Sequence, residues 1–206
     1  MKKCYIVGAG EDFGINITKR QRDYIIAADA GLDSLKRNGY NADLVIGDFD
    51  SSDKIPKHDN IIVLPAEKDD TDMMAAIKEG IKLGYEEFHI LNGTGGRFDH
   101  TFANIQALSY LAERNMRGYL YARNEILTVI KNDTMEFGES LQGYVSVFSL
   151  SDTAFGVDIE GLKYELHDAT LTSSFPLGVS NEFTGKKSIV RVREGSLLLI
   201  YPGTNK

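Results

Sequence analysis

The chain has 206 residues, of which 42% are hydrophobic and 26% are charged, and a net charge of −7, which fits one large or two small globular domains. The negative charge, without a dense block of Lys or Arg, argues against a nucleic-acid partner, and the lone Cys4 excludes an internal disulfide. No apolar run approaches a membrane span and the amino terminus does not resemble a signal peptide, so we expect a cytoplasmic protein with no membrane partner.

Strand-like apolar runs alternate with helical patterns in the first part of the chain. Helical spacing predicts one helix through Met73, Ile77 and Ile81 and another through Phe102 and Leu111. Strands separated by helices indicate right-handed crossovers and a mostly parallel sheet flanked by helices. We therefore predict an α/β domain over residues 1–125, with strands at Cys4–Val7, Tyr24–Ala28, Leu44–Ile46, Asn60–Leu64, Phe88–Leu91 and Gly118–Tyr121.

The helical period disappears after about residue 130. Short β-type runs replace it, at Ile126–Ile130, Tyr144–Leu150 and Leu198–Tyr201, separated by turn residues. This pattern predicts an all-β domain, a small sandwich or barrel, over residues 126–206. A unit of that size buries little surface alone, so we expect it to pack on its neighbour or on a second subunit. The run Ser188–Arg193 fits either an interface strand or a half-exposed edge.

Acidic residues follow three of the predicted strands. Ligands of open α/β sheets bind at the carboxyl ends of the strands, so neighbouring strands would gather these carboxylates at one sheet edge. Carboxylates held close together repel each other, and they are tolerated by protonation or by an added cation. A hard divalent ion with oxygen ligands, Mg²⁺ together with a phosphate substrate, is the usual solution. The six residues are Asp29, Asp48, Asp50, Asp69, Asp70 and Asp72.

Helix capping is the alternative explanation for each of these residues, because Asp side chains accept hydrogen bonds from backbone N–H groups at helix starts. Asp70 is the weakest of the six, since it is placed to cap the helix that carries Met73. Asp69 and Asp72 would then turn inward. Removing one carboxylate from a clustered site would relieve repulsion in the metal-free protein.

Two glycine-rich loops follow predicted strands. The first, Gly8–Gly14, departs by one residue from the dinucleotide fingerprint, and a plain turn is an equal alternative. The second, Asn92–His100, leads into a predicted helix, and its glycines allow backbone N–H groups to approach phosphate oxygens. Within this loop, the planar guanidinium group of Arg97 can donate two hydrogen bonds to phosphate oxygens. Asp99 is placed to cap the helix, to orient Arg97 or to bind a ring nitrogen, and His100 to contact phosphate or to serve structure.

Five short strings occur in a fixed order along the chain. They are Ala28-Asp29-Ala30-Gly31, Gly47-Asp48-Phe49-Asp50-Ser51, Lys68-Asp69-Asp70-Thr71-Asp72, Gly95-Gly96-Arg97-Phe98-Asp99-His100 and Ser180-Asn181-Glu182-Phe183. With these strings the chain resembles the thiamine pyrophosphokinase (thiamin diphosphokinase) family over both predicted domains. The resemblance implies transfer of a pyrophosphoryl group from ATP to the hydroxyl of thiamine, giving thiamine diphosphate and AMP. It also implies Mg²⁺ dependence and a homodimer with active sites between subunits.

The resemblance implies roles for individual residues. Asp48, Asp50 and Asp72 would hold the metal, and Asp69 would complete the catalytic acidic site together with Arg97. On the nucleotide and phosphate side it places a further set, comprising Asp29, Gly95, Gly96, Arg97, Asp99 and His100. On the thiamine side it places Ser180 and Asn181. The chain has no Trp for the aromatic stack expected on thiamine, and Phe183 is our substitute.

The chemistry needs a base for the thiamine hydroxyl, and either Asp72 or Asp69 fits. Two other classes of function stay open from the residues alone. One is a different Mg²⁺-dependent phosphohydrolase or nucleotidyl or sugar transferase that uses the pair Asp48 and Asp50. The other is a non-enzymatic module that binds a nucleotide or a thiamine-like cation, although phosphate-binding parts beside an acidic cluster argue against it.

Overall fold

The structure, a computed structural model, describes residues 2–49 and 55–203. The first elements in chain order are β1 (Lys3–Val7), β2 (Tyr24–Ala28), α1 (Gly31–Arg37), β3 (Leu44–Gly47), β4 (Ile61–Val63), α2 (Asp72–Lys82), β5 (Glu87–Leu91), α3 (Phe98–Ala112) and β6 (Arg117–Tyr121). The following elements are strands, namely β7 (Glu125–Lys131), β8 (Thr134–Phe137), β9 (Tyr144–Ser149), β10 (Thr153–Glu160), β11 (Leu166–Thr172), β12 (Gly178–Glu182), β13 (Ser188–Glu194) and β14 (Ser196–Pro202).

These elements form two compact units. Of the described residues, unit 1 contains those up to Ala107 together with Gly118–Arg123, and unit 2 contains Leu108–Arg117 and residues 124–203. The sequence places the division between residues 125 and 126, two residues after Arg123. The second unit also takes the carboxyl end of α3, which a boundary drawn along the sequence does not anticipate.

Unit 1 is built on a sheet with the strand order β6-β5-β1-β2-β3-β4. Strand β1 pairs in parallel with β2 and β5, and β3 pairs in parallel with β2 and β4. The predicted fold class, an α/β part with a mostly parallel sheet, is confirmed. Helix α1 has only two turns with two buried leucines, Leu32 and Leu35, so its apolar period is too short to be detected in the sequence.

Alternation along β1 directs its side chains to the two faces of this sheet. Tyr5 and Val7 pack in one cluster with the buried leucines of α1. Cys4 points to the opposite face, where a Cβ atom at Gly80 of α2 would lie 3.1 Å from its Sγ atom. Helices therefore cover both faces, as expected for a parallel sheet. Burial raises the pKa of the Cys4 thiol far above its ordinary value, which fits the structural role expected from its apolar surroundings.

Unit 2 is a β-sandwich, which confirms the predicted all-β part. One layer has the strand order β12-β9-β14-β7, and the other has the order β11-β10-β13-β8. Neighbouring strands within each layer are antiparallel. Val147 and Leu199 of the first layer and Val157 and Val190 of the second share one buried cluster. Strand β13 pairs on both sides, with β10 and β8. Of the two alternatives for Ser188–Arg193, the half-exposed edge was therefore wrong, and the interface strand stays a prediction.

Within residues 2–49 and 55–203, no helix is both long enough and apolar enough to cross a membrane.

Candidate active site

A pocket of about 740 Å³ opens in unit 1 at the carboxyl ends of the parallel strands. Gly8 after β1, Asp29 after β2, Asp48 after β3 and Asn92 after β5 all line it. The volume lies within the range of small-molecule sites. Asp29 and Asp48 thus lie at one edge of the sheet, as we expected for the carboxylates that follow these strands.

Two of the predicted carboxylates converge in this pocket. Asp48 and Asp72 both contact the ammonium group of Lys68, and the distance from Lys68 Nζ to Asp72 Oδ1 is 3.0 Å. All three side chains are mostly buried, with exposed fractions of 13% for Asp48, 23% for Asp72 and 14% for Lys68. Burial disfavours the ammonium form, but hydrogen bonds to both carboxylates outweigh this effect and raise the pKa of Lys68. The chain thus supplies its own cation to a cluster that we expected to need protonation or an added ion.

Lys68 is a charged residue of the pocket that the sequence analysis did not single out. It stands four residues before Asp72, at the spacing of an ion pair along a helical turn. That spacing was visible in Lys68-Asp69-Asp70-Thr71-Asp72. Its second partner, Asp48, is 20 residues away, and no sequence pattern connects the two.

A buried phenylalanine directly follows Asp48. Phe49 has a φ of 55°, an unusual value for a bulky residue, and its ring is buried in the cluster with α1. The neighbouring Gly47 accommodates this ring, because a Cβ atom there would lie 3.3 Å from it. Phe49 is thus anchored in the core directly after Asp48, which lines the pocket. Asp50, predicted as a metal ligand, lies outside the described residues.

Left-handed backbone conformations recur at the pocket edge. Asp29 and Asn92 have φ values of 50° and 51°, and the N–H of Asp29 donates to the carbonyl of Ile46 at 2.8 Å. Asp and Asn tolerate this conformation better than most residues. The buried amide nitrogen of Asn92 has no hydrogen-bond partner within the described residues. It is a donor that a ligand oxygen in the pocket can satisfy.

The remaining carboxylates of the third cluster do not join the pair. Asp69 is exposed and is not among the residues that line the pocket. Asp70 lines the pocket but forms an ion pair of 2.6 Å with Lys78. The predicted cap at Asp70 was wrong, because Thr71 caps α2 by accepting the N–H of Met74 at 3.1 Å. Asp72 instead begins the helix, where a negative charge is favourable.

The second glycine-rich loop forms the other wall. Gly95 and Gly96 have φ values of 82° and 63°, line the pocket and lead into α3. Arg97 also lines it, 73% exposed, and its guanidinium donates to Asp99 at 2.6 Å. Asp99 also accepts the N–H of His100, so it orients Arg97, one of the three roles left open for it. The Arg97 hydrogen bond lowers the pKa of Asp99. His100 lines the pocket and is exposed.

The first glycine-rich loop is held against the second by backbone hydrogen bonds. The N–H of Gly10 donates to the carbonyl of Asn92 at 2.8 Å, and that of Glu11 donates to the carbonyl of Thr94 at 2.9 Å. A Cβ atom at Gly10 would lie 2.5 Å from the carbonyl oxygen of Asn92. Gly10 therefore permits close packing of the two loops rather than binding of phosphate by its own N–H.

The residues predicted for thiamine lie in unit 2. Ser180 is exposed with a φ of 57°. Asn181 is 3% exposed, and its amide oxygen accepts the N–H of Tyr164 at 3.0 Å and that of Glu182 at 2.9 Å. Its amide nitrogen donates to the carbonyl of Tyr164 at 2.6 Å. The amide group of Asn181 thus holds the segment that carries Tyr164 through both its oxygen and its nitrogen.

The two aromatic residues near this segment differ in exposure. Phe183 is 7% exposed and packs edge-on against Phe137, with ring centroids 5.3 Å apart. Tyr164 is 60% exposed. The position of Phe183 favours a packing role in the sandwich core, whereas Tyr164 offers an aromatic surface to a ligand.

Two family models match the chain. The model for the thiamin pyrophosphokinase catalytic domain covers residues 16–120, and the model for the thiamin pyrophosphokinase vitamin B1 binding domain covers residues 129–199. The chain belongs to the thiamine pyrophosphokinase family. The pocket of unit 1 lies largely within the first match, and Tyr164 and Asn181 lie within the second.

Relatives in this family match along most of the chain. Thiamine pyrophosphokinase of Bacillus subtilis is 25% identical over 182 residues, which is 85% of each chain. Thiamin pyrophosphokinase 1 of Caenorhabditis elegans is 26% identical over 178 residues, 78% of this chain and 72% of that one. The crystal structure of thiamin pyrophosphokinase from Geobacillus thermodenitrificans matches with a TM-score of 0.83 and 26% identity, covering 98% of this chain and 97% of that one.

Proposed function

We propose that this protein is a thiamine diphosphokinase, which transfers the pyrophosphoryl group of ATP to the hydroxyl of thiamine and forms thiamine diphosphate and AMP. The observation that carries this conclusion is the pair of family matches, one catalytic and one for vitamin B1 binding, that together span residues 16–120 and 129–199. The side chains that line the pocket in unit 1 suit the catalytic function by their charges and hydrogen-bonding groups.

The pocket combines parts for a polyphosphate with parts for a cation. Gly95, Gly96 and Arg97 and the start of α3 form an anion-binding wall, while Asp48 and Asp72 form the acidic part. Phosphoryl-type transfer depends mostly on positioning and charge neutralisation. This arrangement therefore suits the triphosphate of ATP.

The acidic part fits Mg²⁺ by its donor chemistry. Within residues 2–49 and 55–203 no group of three His, Cys, Asp or Glu side chains is assembled to hold a metal. Mg²⁺ nevertheless is commonly bound through one or two carboxylates together with substrate phosphates and water, and Asp48 and Asp72 supply two carboxylates around one point. When bound, Mg²⁺ would neutralise charge that develops on the phosphate oxygens.

Asp72 is our choice for the base that accepts the proton of the thiamine hydroxyl. It lines the pocket, whereas Asp69, the other candidate, is not among the lining residues. A primary alcohol is a poor nucleophile, so removal of its proton as the bond to the β-phosphorus forms lowers the barrier. The hydroxyl must be held close to the β-phosphorus for AMP to be the leaving group.

For the thiamine side we propose Ser180 and Tyr164 as contacts. The exposed ring of Tyr164 would offer its face to the positively charged thiazolium ring or to the pyrimidine, which is an attraction of about 0.5–2 kcal/mol for a cation. Asn181 would act through Tyr164 rather than by direct contact, because its amide is already bound to backbone groups.

The decisive assay is incubation with ATP, Mg²⁺ and thiamine, followed by separation of the nucleotides. We expect AMP and thiamine diphosphate in equal amounts, and no AMP without thiamine. ADP would indicate an ordinary kinase and free phosphate a hydrolase, the alternatives that the comparisons do not favour. Tight binding of thiamine and ATP without any turnover would indicate a binding module.

We further propose that the enzyme is a cytoplasmic homodimer whose active sites are shared between subunits. The test is mixing and refolding of two impaired variants, Asp48→Asn, which lowers turnover, and Tyr164→Ala, which raises KM for thiamine, with activity measured at thiamine well below KM. With shared sites, half of the dimers are mixed and one of their two sites carries neither substitution, so about a quarter of wild-type activity should return. Sites contained in single subunits would give no recovery.

A further inference from the structure

The contacts of Lys68 differ from those of a surface lysine. Its ammonium group contacts the two carboxylates that the proposed function assigns to the metal, and only 14% of its side chain is exposed. Lys78 offers a comparison, because it pairs with Asp70 in the same region, where the two side chains are 41% and 36% exposed. The pair of Lys78 and Asp70 is a surface ion pair, a kind that typically contributes little to stability. Lys68, in contrast, is enclosed between two carboxylates.

A cation at this place has a clear electrostatic effect. Two carboxylates held this close in a mostly buried position repel each other, and the ammonium group of Lys68 removes that cost. Lys68 contacts Oδ2 of Asp48 and Oδ1 of Asp72, and a divalent ion that took these oxygens would bind them at about 2.0–2.1 Å. The ammonium group and the metal ion therefore compete for these oxygens by charge and by space.

We propose that Lys68 is a built-in competitor of the metal, which occupies the carboxylates of Asp48 and Asp72 until a divalent cation arrives together with a polyphosphate. This inference rests on the proposed metal-binding role of these two residues. Mg²⁺ alone has to displace an ammonium group that has no new partner, so it binds weakly. Mg²⁺ with ATP brings phosphate oxygens to the same pocket, and these accept the displaced ammonium group. Lys68 thereby couples metal binding to nucleotide binding.

The test is a calorimetric titration of the nucleotide-free full-length protein with MgCl₂. Lys68→Met should bind Mg²⁺ at least about tenfold more tightly than wild type, because the ammonium group that competes for the two carboxylates is gone. Its melting temperature should also rise more on addition of Mg²⁺. Lys68→Gln serves as a second variant of similar length in case the methionine variant does not fold.

Two control variants separate a local effect from a change in net charge. Lys78→Met removes the same charge from the Asp70 pair and should leave Mg²⁺ affinity within twofold of wild type, about the scatter of such measurements. Lys68→Arg keeps a cation at the site and should bind Mg²⁺ as weakly as wild type.

The outcomes distinguish the competition by Lys68 from the metal-binding role of Asp48 and Asp72 on which it rests. Equal Mg²⁺ affinity in Lys68→Met, Lys68→Gln and wild type would overturn the competition and leave the metal site in place. A gain in Lys78→Met equal to that in Lys68→Met would overturn it as well, since only net charge would matter. If neither wild type nor the Lys68 variants bind Mg²⁺, the metal assignment and the competition both fail, and the AMP assay alone decides the enzymatic activity.

Discussion

Replacement of Asn181 by alanine tests whether this residue holds Tyr164 or contacts the substrate. The substitution removes three hydrogen bonds at a position that is 3% exposed: those donated by the N–H groups of Tyr164 and Glu182, and the one donated to the carbonyl of Tyr164. At about 1 kcal/mol for each bond the local cost is about 3 kcal/mol. Backbone groups left without a partner add to that cost where water does not reach them.

The assay is amide hydrogen exchange combined with steady-state kinetics. A loss of about 3 kcal/mol corresponds to exchange about 10²-fold faster at the amide of Tyr164. We expect KM for thiamine to rise in Asn181→Ala as it does in Tyr164→Ala, while Tyr164→Phe keeps a nearly normal KM because it keeps the ring. Ser180→Ala is the matched control for exchange, since the N–H of Ser180 donates to Ser146 and its own hydroxyl holds no part of this segment.

One result would refute the reasoning. If Asn181→Ala raised KM for thiamine while exchange at Tyr164 stayed at the wild-type rate, the amide of Asn181 would have to contact thiamine directly. The hydrogen bonds between Asn181 and Tyr164 would then not be needed to hold Tyr164 in place, and the proposed positioning role of Asn181 would be wrong.

Three further predictions concern unit 1. Asp48→Asn should lower turnover at least about 10²-fold and lower the free energy of unfolding by about 1 kcal/mol, because Asp48 is paired with Lys68 rather than repelled by its neighbours; near-normal turnover at ordinary Mg²⁺ would contradict the metal assignment. Arg97→Ala should lower kcat/KM for ATP about 10²-fold with little effect on the melting temperature, since Arg97 is 73% exposed, and unaltered kinetics would move the phosphate clamp elsewhere. Burial lowers the pKa of His89 from its ordinary 6.5, so the unfolded state takes up a proton that the folded state resists. The stability that His89 contributes is then complete above about pH 6.5 and is lost as pH falls through the folded pKa. Urea unfolding between pH 7 and 5 should show a smaller loss in His89→Gln than in wild type, with the exposed His167→Gln as control; identical pH slopes in all three would refute this.

The sequence by itself determined the architecture of both units and the chemistry of the site. Burial of apolar side chains drives folding, and a short continuous apolar run such as Tyr24–Ala28 is typical of a strand in a buried parallel sheet. Since parallel strands place their carboxyl ends at one edge, the positions of Asp29 and Asp48 directly after their strands were sufficient to locate the pocket. The ordered strings supplied the family.

Only the tertiary structure decided which side chains act together. Lys68 meets Asp48 across 20 residues because α2 and β3 pack in one unit, and a charge pair between distant segments leaves no period in the sequence. Phe183 and Tyr164 are both aromatic, yet one packs against Phe137 in the core and the other is exposed. Burial of a given side chain depends on which strands meet in space, and that information is carried by the whole fold rather than by the local residues.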